Sequence, residues 1–155
     1  MEGRRQRLID DVRSAIAVKL TRQDILDTAI HLIDDFSPNF DWSGFYMMDG
    51  NQLVVASYIG PETPHTVIPL NSGICGAAAS QKRSVVVDDV QSDPRFLACS
   101  ISTRSEIVVP LMDGDRVLGE IDIDSNTPSF FTDDDRVMLE AVAAIVVTRL
   151  KEIGV

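Results

Sequence analysis

Cysteine is scarce in this chain: Cys75 and Cys99 are the two thiols among 155 residues, too few for a disulfide framework. Residues 1–20 lack the apolar stretch of a secretory leader, and a run of eighteen apolar residues occurs nowhere. Neither a signal peptide nor a membrane helix is therefore expected. Histidine is equally sparse (His31 and His65), with no CxxC or HExxH spacing, so no resident metal is expected. Phosphate-cradling loops of the GxGxxG or P-loop type are missing. Positive charge is in deficit, 14 Lys and Arg against 24 Asp and Glu, a formal net charge of −10. Such a chain repels phosphate backbones and anionic lipid, which argues against nucleic acid and membrane as partners. The expected compartment is the reducing cytoplasm, where both thiols stay free.

What is present suits one globular domain: 45% hydrophobic and 25% charged residues, without repeats, low-complexity runs or a Pro/Ser-rich linker. Leu8, Ile9, Val12, Ile16 and Leu20 fall at helical spacing and predict a first helix over about Arg4 to Leu20. Thr21 reads as the N-cap of a second helix, whose stripe is Ile25, Leu26, Ala29, Ile33 and Phe36 and which Pro38 terminates. Trp42–Met48 and Leu53–Ile59, joined by Asp49-Gly50-Asn51, read as a β-hairpin. His65–Leu70 predicts a third strand, Gly76–Gln81 a small-residue helix and Ser84–Val87 a fourth strand. Asp88 to Thr103 is a long irregular connection, of the kind that tends to be functional in a compact domain. Glu106–Leu111 and Val117–Ile123 predict two more strands around Asp113-Gly114-Asp115. A last helix opens at Thr132, with Asp133, Asp134 and Asp135 at its positive end. That helix is apolar nearly all round, which predicts cover on two sides, by the sheet and by either the N-terminal helices or a second subunit. The fold class expected is α+β, an antiparallel sheet of about six strands with the N- and C-terminal helices on one face.

Three groups of residues point to chemistry. Cys75 opens the small-residue helix, where unpaired amides favour an anion, and Cys99 lies in the long connection near Arg95 and Arg104. Each thiol could equally be a small core hydrophobe. Period-two alternation sends Asp122 and Asp124 to one sheet face and Ile121 and Ile123 to the other, and Glu106 joins Val108 on a single face. Three carboxylates gathered opposite the helices would repel, so one pKa should rise and that group could act as an acid while its neighbours hold an ammonium. A plainly solvated acidic face is the alternative. Trp42 and Tyr46, on one face with Gly44 between them, could wall a cavity for a small apolar group or simply belong to the core.

The segments Asp41-Trp42-Ser43-Gly44-Phe45-Tyr46, Gly73-Ile74-Cys75-Gly76, Asp88-Asp89-Val90, Ser105 to Pro110, Gly119 to Ser125 and Phe131-Thr132-Asp133 resemble a GAF domain from about Asp24 to Leu150. The set Trp-Ser-Gly-Phe-Tyr, Ala-Cys, Ser-Glu-Ile-Val and Asp-Ile-Asp-Ser is similar to the free methionine-(R)-sulfoxide reductases. The resemblance implies a single domain over 1–155, with an N-terminal helix at 1–22 and a GAF core at 23–150. It implies Cys99 as the catalytic thiol, forming a sulfenic acid, with Cys75 as resolving thiol or an external thiol in its place, since the family's third cysteine position is His65 here. It further implies Glu106, Asp122 and Asp124 as acid and substrate carboxylates, Trp42 and Tyr46 as the wall around the methyl end, and no bound cofactor. Free methionine sulfoxide as substrate, a thioredoxin-type reductant and a homodimer through the terminal helices complete the expectation. A non-catalytic small-molecule-binding or redox-sensing GAF module is the competing reading.

Overall fold

A computed structural model describes residues 3–96 and 102–154. The backbone builds α1 (Gly3–Ile16), α2 (Arg22–Asp35), β1 (Trp42–Asp49), β2 (Gln52–Ile59), β3 (Val67–Pro69), α3 (Gly73–Gln81), β4 (Val85–Val87), β5 (Ser105–Asp113), β6 (Arg116–Ser125) and α4 (Asp133–Glu152), with a 3₁₀ turn at Val90–Ser92. The six strands form one sheet in the order β3-β2-β1-β6-β5-β4, every neighbouring pair antiparallel. This is the α+β architecture that the alternation of strands and helical stripes predicts.

The sheet separates two hydrophobic clusters, and its alternation decides which side chain goes where. Phe45, Met47, Ile107, Val109, Leu111, Ile121 and Ile123 face α1, α2 and α4 and form the larger core with Val12, Ile25, Leu139 and Val146. The opposite face is covered by α3, which packs on β5 and β6, and its apolar cluster is smaller: Trp42, Tyr46, Ile68, Ile74, Cys75, Ala78, Val90 and Val108 among others.

Helix ends follow their chemistry. Thr132 and Asp135 form a reciprocal capping box at α4: the Thr132 hydroxyl accepts from the Asp135 amide and the Asp135 carboxylate accepts from the Thr132 amide. The same carboxylate takes Arg5 of α1 at 2.9 Å, tying the first helix to the last. Because α1 and α2 both pack on α4, its second covered side is supplied within this chain.

The sequence-based boundaries need adjustment at three places. The first helix stops at Ile16 rather than Leu20, leaving Val18 and Leu20 exposed, because the chain must turn before Thr21 caps α2. The third strand is only Val67–Pro69, an edge strand that pairs with β2 over three residues. The small-residue helix begins at Gly73, after Ser72 in extended geometry, which places Cys75 in its first turn. No helix among the described residues is long and apolar enough to cross a membrane.

Candidate active site

The acidic face assembles from strand register. Glu106 stands opposite Asp124 on the β5–β6 ladder, and Asp122 opposite Val108. On the other side of β6, Trp42 pairs with Asp124, Gly44 with Asp122 and Tyr46 with Glu120. Period two therefore lines up Glu120, Asp122 and Asp124 along β6, flanked by Glu106 on β5 and the two aromatic residues on β1. Glu120 is the carboxylate that reading the sequence missed, although the alternation that selects Asp122 and Asp124 includes it.

This face is not solvated. Glu106, Glu120, Asp122 and Asp124 are all at most 5% exposed, on the face of β5 and β6 against which α3 packs. Burial, followed by the charges of Asp122 and Asp124, pushes the Glu106 carboxyl well above the usual carboxylate range. Burial likewise raises Glu120 strongly, against the opposing effect of the nearby Cys75 thiol. Asp122 is raised by burial, with contacts to Glu106 and Cys75 pulling it back. Asp124 is raised well above its ordinary value by burial and by the Asp122 charge. Among the described residues, one oxygen each of Asp122 and Asp124 has no hydrogen-bond partner, and the Glu120 carboxyl meets the Cys75 thiol.

Cys75 sits among these acids and not merely at a helix end. Its thiol is pushed well above its ordinary pKa by burial, then by the charges of Asp122, Glu120 and Glu106. The sequence argument that first-turn amides would favour a Cys75 thiolate is corrected here: desolvation and three carboxylates outweigh the partial charge of one helix turn. Cys99, expected to be the catalytic thiol, lies outside the described residues, as do its neighbours at 97–101.

The aromatic pair is divided between two cavities. The Trp42 indole stacks on Tyr58 at 5.4 Å between centroids and lies 6.1 Å from Tyr46, and its Nε1 donates to the Pro61 carbonyl at 3.2 Å. It folds over Gly44, where a Cβ would overlap the ring, so glycine is required for this placement. Trp42 walls a cavity of about 150 Å³ together with Asp41, Pro61, Glu62, Thr103, Asp124 and Asn126. Tyr46 is fully buried, donates to the His65 carbonyl at 2.7 Å, and faces a void of about 20 Å³ lined also by Cys75, Glu106 and Asp122. The two spaces adjoin different members of one acidic row, since Asp124 walls the larger and Asp122 the smaller. Successive side chains on that face of β6 are about 6.8 Å apart.

The Cys75 sulfur and single oxygens of Glu106 and Asp122 all lie within 4.8 Å of one another, a donor set that could hold a cation. They come from α3, β5 and β6, so no local spacing motif announces them.

Chemically, the arrangement offers a row of buried carboxyls whose protonated form burial favours, with an indole wall beside it. Comparison with known proteins sets this geometry in context. Residues 19–150 match the family model of the GAF domain. The chain is 37% identical over 109 residues to GAF domain-containing protein A of Dictyostelium discoideum, covering 70% of this chain and 68% of that protein. It is 34% identical over 120 residues to the free methionine-R-sulfoxide reductase of Saccharomyces cerevisiae, covering 75% of this chain and 66% of the relative. The chain thus spans about two thirds of the length of these curated relatives. The X-ray structure of free methionine-R-sulfoxide reductase from Neisseria meningitidis in complex with its substrate superposes with a TM-score of 0.90 at 32% identity, covering 95% of this chain and 88% of that one.

Proposed function

The chain belongs to the GAF domain family, and we propose that it reduces free methionine-(R)-sulfoxide to methionine. The observation that carries this reading is the convergence of Glu106, Asp122 and Asp124, buried and with elevated pKa values, on a face whose far end opens into the cavity beside Trp42. Curated relatives and a substrate-bound structure named for that reaction support it.

In this mechanism the substrate ammonium is held by ionised members of the acid row, and the sulfoxide methyl packs against Trp42. A carboxyl that burial keeps protonated donates its proton to the sulfoxide oxygen, which makes the sulfur electrophilic. The Cys99 thiolate attacks that sulfur. Collapse of the adduct passes the oxygen to the cysteine sulfur and releases the thioether: the substrate sulfur is reduced by two electrons, Cys99 is oxidised by two, and the product is a sulfenic acid. A further thiol attacks the sulfenic acid and expels water, giving a disulfide that a second thiol reopens.

Cys75 is poorly suited to be that further thiol while its cage is ionised, because a thiol of raised pKa is present as thiolate only rarely. An external dithiol of the thioredoxin class attacking Cys99 directly is therefore the favoured recycling route in this proposal. The domain is taken as a single unit over 1–155, and a homodimer through the terminal helices is part of the same reading. The surface available to it is the groove of about 470 Å³ between α1 and α4, where Ile16, Ala17, Ala144 and Ile145 alternate with Arg13, Thr148, Arg149 and Glu152.

The test is loss of free methionine sulfoxide, each epimer separately, with dithiothreitol and then with a thioredoxin system, for wild type and Cys99→Ser. Turnover confined to the R epimer and abolished by the substitution is expected. Binding of methionine or its sulfoxide with no turnover under either reductant would make the chain a ligand-binding GAF module instead.

A further inference from the structure

We propose that the Cys75 Sγ, Glu106 and Asp122 form a binding site for one thiophilic divalent cation of the zinc class. The three donor atoms lie within 4.8 Å of one another, against roughly 3.4–3.6 Å between donors around a tetrahedral zinc with ordinary bond lengths. Small side-chain rotations close that difference. The space to be filled exists: a void of about 20 Å³ is lined by these three side chains together with Tyr46, His65, Ile68, Gly73 and Ile74, enough for one water-sized occupant at about 10–15 Å³.

The second, independent sign is unmet valence. Asp122 is 3% exposed and lines that void, yet among the described residues one of its oxygens lacks a hydrogen-bond partner. Buried polar atoms are almost always satisfied, and a cluster left open on the acceptor side calls for a donor or a cation. Arg95 is the guanidinium whose charge reaches Glu106, but its own partner is Asp93 at 2.7 Å.

The donor types select the ion. One sulfur with two carboxylates disfavours magnesium and calcium, which take all-oxygen shells, and suits zinc or cobalt. On binding, the Cys75 proton passes to solvent and the cation's charge stabilises the thiolate that the carboxylates alone disfavour.

The cation site stands without the reductase reading; only its competition with substrate depends on it, through the shared Glu106 and Asp122. The experiment uses the full chain in a Cys99→Ser background, so that Cys75 is the sole thiol, stripped with chelator and titrated with Co²⁺. One equivalent is expected to bind with a near-ultraviolet thiolate-to-cobalt charge-transfer band that Zn²⁺ bleaches. Cys75→Ser should remove the band, and Glu106→Gln should weaken binding by about tenfold or more, at least the loss caused by removing an outer-sphere partner. Circular dichroism establishes that each variant is folded, and Glu106→Gln decides if Cys75→Ser is not. Absence of saturable binding, a complex lacking the band, or unchanged affinity in Glu106→Gln overturns the site. If the band appears but free methionine leaves the cobalt affinity unchanged, the cation site is upheld and the ammonium cradle of the reductase reading fails.

Discussion

Glu106 and Asp124 face each other across the β5–β6 ladder, on the side of the sheet that α3 closes from solvent. Directly opposed side chains in such a ladder have Cβ atoms about 4.5–5.5 Å apart, where like charges are destabilising. A hydrogen bond between the two carboxyls needs a proton on one of them, and the register and the opposite face of the sheet hold the pair together when both are ionised. A protein that keeps such a pair buried gives up stability at neutral pH for it.

That cost predicts an inverted response to mild acid. Glu106, Glu120, Asp122 and Asp124 have pKa values raised in the folded chain. Between the unfolded carboxylate range and those raised values, the folded state binds more protons than the unfolded state, so stability falls as pH rises. Melting temperature should accordingly increase on going from pH 7.5 to about pH 5.5, measured by differential scanning fluorimetry. Glu120→Met should flatten this slope and stabilise the protein at neutral pH by about 1–3 kcal/mol, since a buried carboxyl with no cationic partner among the described residues is replaced by packing atoms. A steeper slope in the variant would contradict this account.

Alkylation gives a second reading of the same electrostatics. Cys75 is buried and its thiol is pushed well up by its acidic neighbours, so its iodoacetamide modification, followed by peptide mass spectrometry, should be slow at pH 7.5 and accelerate only above the ordinary thiol range. The Asp122→Asn variant should shift that acceleration to lower pH, because it removes the largest charge acting on the thiol. An unshifted profile would mean that burial alone sets the reactivity.

Gly44→Ala should be severe for one methyl group. A Cβ there would overlap the Trp42 ring and come within 3.1 Å of Tyr58, so the indole must move, at about 1–3 kcal/mol for overpacking. Because Trp42 walls the larger cavity, affinity for free methionine by calorimetry should fall as well, while a Gly3→Ala control, with open space around it, should change neither.

At the opposite end of the fold, Asp135→Ala removes half of the α4 capping box and the partner of Arg5. The expected loss is about 1–2 kcal/mol for the cap, read by urea denaturation. Asp135→Asn should recover part of it, since an amide oxygen can still accept from the Thr132 amide.

Most of this architecture was legible in the chain. The Ile121/Ile123 and Asp122/Asp124 alternation assigns both faces of β6, and the Trp42–Tyr46 spacing assigns β1, because period two is a local property. The missed parts are non-local. Nothing in Ala77-Ala78-Ala79 marks which surface α3 will cover, so the burial of the acid row, and with it the raised pKa values, emerges only when the helix docks. Glu120 was overlooked because its significance depends on the Cys75 thiol arriving from α3. The amide-rich start of that helix suggested a thiolate, and the carboxylates that reverse the inference are contributed by strands far along the chain.

The division of β6 into a face of Asp122 and Asp124 and a face of Ile121 and Ile123 also polices assembly. Slipping that hairpin by a single residue would exchange the faces, driving Glu120, Asp122 and Asp124 into the layer now filled by Ile121 and Ile123 while stranding the isoleucines under α3. Shifted pairings are thereby excluded by the most expensive error available to a sheet, and the turn at Gly114, in left-handed geometry with φ 61°, needs only to close the loop. The same carboxylates that strain the finished fold leave it without a near-degenerate competitor.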